Sequence, residues 1–266
     1  MMAQQKNYLE LVQNTFSTII LDAIQYFPEN VKKVHSETSG LLFGLDKGEY
    51  AECDYIFPVG SVAKRTKNSV QTNPKVEAAL KASRQLFSTS NFIGTYHSHP
   101  YEEYFSDWAC PSNGDILYSL TNKYPFEIII AITRDGKENK PLTINIYENE
   151  GLEFFNNELY DSHSGPKTKK LGYKTSYIVG EFQKYKFEIR AYQFTGNSLK
   201  DIDLESSEVA LFSLLNEENI NLANLSEEDT YSLRKMEFNL RTEQDHPKSD
   251  ENIKYHLNKL NRFQTN

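Results

Sequence analysis

Within "FIGTYHSHPYEEYFSDWACPSNGDILYSL" (residues 92–120), His97 and His99 stand one residue apart, and Ser112 precedes Asp115 by three. The whole chain has six histidines. On an extended strand, alternate side chains share a face, so both imidazoles can reach one metal ion while Ser98 points away. Pro100 is expected to turn the chain before it pairs further. The plainer alternative is two histidines that face solvent or lie at the edge of a core. Asp115 can supply an oxygen ligand, and with Ser112 it also forms a variant of the capping box that starts a helix. The two roles are compatible, because a rigid helix start is a good mount for a ligand. Two histidines, a carboxylate and a water make a four-coordinate site of zinc type with an open position.

Hydrolysis at such a site needs one more carboxylate, near the metal but not occupying it. Glu37, in "HSETSGLLFG", lies just before an apolar strand. Taken alone it reads as a solvated loop residue. Zinc-protease motifs of the His-Glu-x-x-His type are absent, as is the Pro-Cys-x-x-Cys that nucleobase deaminases need.

In this order, "SETSGLLFG", "IGTYHSHP" and "PSNGD" resemble the JAMM (MPN-plus, Mov34/MPN/PAD-1) zinc metalloproteases, in their prokaryotic JAB-type form. The pattern is an upstream Glu, then His-x-His-Pro, then Ser-x-x-Asp, and the resemblance covers about residues 8–155. It implies an MPN fold in which His97, His99 and Asp115 hold one catalytic Zn2+. It further implies that Glu37 takes a proton from the attacking water and passes it to the leaving amine, and that Ser112 donates its hydroxyl to the oxyanion. The implied activity is that of a deubiquitinase-like isopeptidase, cutting the bond after the C-terminal glycine of a ubiquitin-like protein. Its partners would be that protein or its conjugate, and activating or conjugating enzymes of the same pathway. Two alternatives stand beside it: a non-catalytic MPN scaffold, and a JAMM peptidase acting on a sulfur-carrier adduct or small peptide. Ser39 stands where the family often has Gly. The stretch Tyr101–Pro111 is longer than is usual there and reads as a flap over the cleft or as a plain surface insertion. It contains Asp107, a rival to Asp115, and only Asp115 lies three residues after a serine. Cys110 is near in sequence but is not a ligand in that family.

These residues need elements to position them. Apolar spacing over Thr15–Phe27 predicts a helix ending at Pro28, and Pro74–Ser88 predicts another. "SGLLFGL", "YAECDYIFP", "NFIGTYHSH" and "FEIIIAITRD" read as strands, the last turned by Asp135-Gly136 toward a hairpin neighbour "LTINIYE". The succession predicts an α/β, or layered α+β, domain around a mixed sheet flanked by helices. A polar, basic linker is expected over 161–170, followed by a C-terminal α+β extension (residues 170–266) of strands and then, from about Ser206, charged helices.

With 266 residues, 38% hydrophobic and 13% aromatic, the chain can build a packed core. A net charge of −8 argues against nucleic acid or an anionic membrane as partner. Two cysteines cannot make a disulfide framework, and no signal peptide or apolar span is visible, so a cytoplasmic location is expected.

Overall fold

The structure, a computed structural model, describes residues 8–27, 36–47, 50–59, 62–65, 70–87, 90–134, 140–157, 165–218, 220, 227–242 and 247–264. Along the chain run β1 (Tyr8–Leu11), α1 (Thr15–Gln25), β2 (Ser39–Asp46), β3 (Tyr50–Pro58), β4 (Val62–Arg65), β5 (Val70–Thr72) and α2 (Pro74–Phe87). Next come β6 (Asn91–Tyr101), α3 (Asn113–Asn122), β7 (Phe126–Thr133), β8 (Lys140–Phe155), β9 (Lys167–Gln183), β10 (Tyr185–Phe194) and β11 (Ser198–Ser206). Helices α4 (Ser207–Glu217), α5 (Glu227–Thr242) and α6 (Pro247–Gln264) follow. The architecture is mixed α/β: one large mixed sheet with helices packed against it. Its strands close in the order β1-β11-β8-β9-β10-β7-β6-β2-β3, with β4 and β5 forming a separate pair. Closure is made by β1, which pairs in parallel with both β11 and β3.

The centre of the sheet explains its sequence. Every residue of β7, "FEIIIAIT", is buried, as expected of a strand covered on both faces. Ile128, Ile130 and Ile132 join Phe16, Ile19 and Ala23 of α1 in one core. Ile129 and Ala131 point the other way, into a second core with Trp108, Ala109 and Ile116. Strand β6 lies parallel to β7 with Tyr96 opposite Ile128, His97 opposite Ile129 and His99 opposite Ala131. Tyr96 therefore belongs to the first core and the two histidines to the second face. Gly40, opposite Tyr96 on β2, is required there, since a Cβ would lie 2.2 Å from the tyrosine ring.

Several expectations are revised. Strand β6 does not stop before Pro100 but pairs with β7 as far as Tyr101. The Ser98 N–H donates to the Thr38 carbonyl at 2.9 Å. Two residues on, the Pro100 nitrogen faces the same side, beyond the start of β2, so its missing N–H costs no ladder bond. Strand β8 is not the neighbour of β7, whose edges are taken by β6 and β10; it pairs with β9 and β11. The Asp135-Gly136 turn and residues 161–164 of the expected linker lie outside the described residues, while 167–170 begin β9. The strands after residue 166 are hydrogen-bonded into the same closed sheet as those before 156. Beyond them, α4, α5 and α6 share a small core of their own around Leu215, Met236 and Leu260. Among the described residues no helix is long and apolar enough to cross a membrane, which says nothing of strands.

The second face carries buried charge. Arg190 and Glu188 of β10 pair at 2.7 Å, with side chains 3% and 4% exposed. Arg190 also donates to Asp107 of the 101–111 stretch at 3.0 Å and lies over the Tyr177 ring at 4.0 Å. Removing the cation strands a buried carboxylate, which is the costly way to break such a pair. Arg190→Met is expected to lower stability by about 3 kcal/mol or more in urea unfolding. It should also make the 101–111 stretch more sensitive to limited proteolysis.

Candidate metal centre

His97, His99 and Asp115 converge: their ligand atoms all lie within 4.8 Å of one another. The His97 and His99 Nε2 atoms are 2.9 Å apart. Asp115 Oδ1 stands 3.2 Å from His97 Nε2, and Oδ2 stands 3.4 Å from His99 Nε2. The histidines arrive from alternate positions of β6, and the carboxylate arrives from the first turn of α3. Ser112 caps that helix. Its Oγ accepts from the Asp115 N–H at 3.3 Å, while Asp115 Oδ2 accepts from the Ser112 N–H at 2.6 Å, a complete capping box. Capping and convergence on the histidines thus belong to one carboxylate, and the cap limits its rotation.

Glu37 reaches the same face from the segment just before β2. Ser39 is opposite His97, and the pairing continues past the formal strand end, with Thr38 N–H donating to Ser98 Oγ at 2.9 Å and Ser98 N–H donating back to the Thr38 carbonyl. Alternation places Glu37 on the histidine face, level with His99. It is 8% exposed and not a solvated loop residue. Thr38 points the opposite way, and its hydroxyl donates to Asp22 of α1, which also accepts from the Tyr96 hydroxyl at 2.7 Å. A buried carboxylate on the apolar face therefore fixes the residue next to Glu37 and the residue next to His97.

The electrostatics fit a bound cation. Burial pulls the His97 pKa down, but the Asp115 and Glu127 carboxylates outweigh it and hold the ring well above the ordinary imidazole range. For Asp115, burial acts upward and His97 and His99 act downward, with a net shift well below the usual carboxylate range. Tyr101 is pushed up to about 12 by burial and by Asp115 and Glu37. Two imidazole nitrogens at 2.9 Å cannot face each other as bare lone pairs. A proton or a metal ion must lie among them, and the nitrogen–nitrogen–oxygen donor set suits a metal ion.

Other candidates in this region are otherwise engaged. Asp107 is held by Arg190 and has a positive φ of 55°. It accepts from Asn149 as well, at 3.4 Å. Burial pushes the Cys110 thiol up to about 12, against the thiolate a metal needs. The 101–111 stretch divides in two. Trp108 and Ala109 are buried in the second core, with the Ala109 carbonyl accepting from Tyr192, whereas Glu102–Asp107 are exposed.

Three contributors escaped the sequence reading. Glu127 Oε1 lies 2.8 Å from His97 Nδ1, Ser119 Oγ donates to Glu127 Oε2 at 3.1 Å, and the Tyr101 hydroxyl lies 3.4 Å from His99 Nδ1. One signal was available for Glu127: an acidic residue inside an otherwise apolar, two-sided strand needs a partner. Nothing in the sequence alone points to Ser119.

No protein-family model matches the chain, and no curated protein matches it. Among solved structures it is similar to the solution structure of protein DSY2949 from Desulfitobacterium hafniense. Identity is 12% and the TM-score 0.41, over 74% of this chain and 92% of that one. This likeness is too distant to carry an argument.

Metal uptake should compete with the proton that His97 holds. Because neighbouring carboxylates raise its pKa, an incoming divalent ion must displace a proton held more tightly than on an ordinary imidazole, so affinity should increase as pH rises from about 6 to about 8. Chelator-competition titrations across that range test this, and pH-independent binding would contradict it. His97→Ala and Asp115→Ala should each reduce bound metal to background in elemental analysis.

Proposed function

We propose that the protein is a zinc-dependent isopeptidase of JAMM type, hydrolysing the amide or isopeptide bond that follows the C-terminal glycine of a ubiquitin-like protein. The observation that carries this reading is the convergence of His97, His99 and Asp115 with buried Glu37 on the same face. His97, His99 and Asp115 hold the zinc, which when bound supplies Lewis acidity.

The chain's own groups divide the remaining work. Glu37 is the general base: its carboxylate accepts a proton from the attacking water and delivers it to the departing amine. Ser112 Oγ accepts a backbone N–H, leaving its own proton to donate to the substrate carbonyl oxygen as negative charge gathers there. Asp22, through Thr38, keeps the segment carrying Glu37 against β6. The substrate's C-terminal tail is extended and narrow, which suits an approach along a strand. Activating or conjugating enzymes of the same pathway are its expected functional partners.

Three variants test the assignment, with a ubiquitin-like fusion as substrate and mass analysis of the cut site. Glu37→Gln should lower kcat by about 100-fold or more while zinc content stays at the wild-type level. Retained turnover would remove Glu37 from its role. Ser112→Ala should lower kcat about 100-fold through the lost oxyanion donor and cost about 1 kcal/mol of stability through the lost cap. A wild-type protein that binds zinc but cuts none of the fusions, with chelator making no difference, would favour a non-catalytic scaffold.

A further inference from the structure

Glu127 is the one ionisable side chain of β7, 4% exposed between two apolar cores. A carboxylate in such a place is retained only if its oxygens are well partnered. Its two oxygens have different partners: Oε1 faces His97 Nδ1 at 2.8 Å, and Oε2 accepts from Ser119 Oγ at 3.1 Å. Ser119, 2% exposed, sits four residues after Asp115 on α3, so the two share one helix face.

The gap between α3 and β6 is therefore bridged twice. Asp115 approaches His97 at Nε2, and Ser119, through Glu127, approaches it at Nδ1. An ionised carboxylate only accepts, so Nδ1 must carry the proton it receives. That leaves Nε2, beside Asp115 Oδ1 and His99 Nε2, as the ring nitrogen that offers its lone pair to a cation held where the three donors meet. The imidazole is fixed both in tautomer and in rotation. His99 is supported differently, by a phenol at 3.4 Å.

We infer that Glu127, held by Ser119, is the positioning residue for His97: it sets the tautomer and ring orientation of that metal ligand and strengthens its grip on the ion. The inference rests on the reading of His97, His99 and Asp115 as metal ligands.

The test uses the full chain with Zn2+ alone, reading affinity by chelator competition at one fixed pH, and with Co2+, reading the visible absorption of the bound ion. Thermal melting of the metal-free protein monitors the fold. Glu127→Ala is expected to weaken zinc binding about 10- to 100-fold and to alter the cobalt spectrum. Glu127→Gln, whose carbonyl oxygen still accepts from Nδ1, should restore most of the affinity, and Ser119→Ala should weaken binding by a smaller factor. Glu127→Met, which fills the same space without an acceptor, serves if the alanine variant does not fold. Wild-type affinity and an unchanged cobalt spectrum in a folded Glu127→Ala or Glu127→Met protein would overturn the inference. Equal loss in Glu127→Gln and Glu127→Ala would overturn it as well, since hydrogen-bond acceptance would then not be what matters. If the wild-type protein itself binds neither ion, the metal site fails and the positioning role fails with it, whereas normal binding without peptide cleavage leaves this inference standing and removes only the isopeptidase reading.

Discussion

The register between β6 and β7 governs everything else in the molecule. Parallel pairing sets His97 beside Ile129 and His99 beside Ala131, with Glu127 two residues back on the same face. A slip of one residue by β6 would turn both imidazoles into the core packed by α1 and away from the Glu127 carboxylate. The register is held from both sides. Tyr96 fills the space that Gly40 leaves and bonds Asp22, while Ile128, Ile130 and Ile132 pack beneath it. Apolar packing on one face thus sets the positions of polar groups on the other.

Against that rigid strand, α3 delivers its carboxylate through helix-capping geometry. Asp115 would be a good first-turn residue in any helix, because it accepts an otherwise unpartnered N–H and lies near the positive end of the helix dipole. Here the same carboxylate also faces two imidazoles. Its rotamer is restricted by the cap before any ion arrives, which lowers the ordering that binding must impose. The cluster holds charge of both signs in a buried setting, and this explains why His97 and Asp115 shift in opposite directions.

The 101–111 stretch shows how a long connection can be partly rigid. Trp108 and Ala109 are core residues, and Asp107 is tied to the buried Arg190–Glu188 pair. The exposed part, with Tyr104 and Phe105, is short and bounded on one side by that anchor and on the other by Tyr101 next to His99. Arg190 is supplied by β10, so strands beyond residue 166 take part in shaping the surroundings of a site whose ligands all lie before residue 116.

The amino-acid sequence by itself determined the local features: β-branched runs as strands, the Ser112–Asp115 cap, and the alternation that sets His97 and His99 on one side. Each follows from backbone periodicity or a contact within three residues. It also singled out Glu37, through motif order rather than any physical signal of burial. Only the tertiary structure decided that β6 continues through Pro100, that β7 borders β10 instead of β8, and that the later strands close the same sheet. Those outcomes depend on which edges are already occupied, a property of the assembled sheet. The same holds for the pairing of Glu127 with Ser119 and His97 and of Arg190 with Asp107, contacts that span eight to eighty-three residues of sequence. Long-range pairing of buried charge leaves almost no local trace, because what stabilises it is the partner that folding brings alongside.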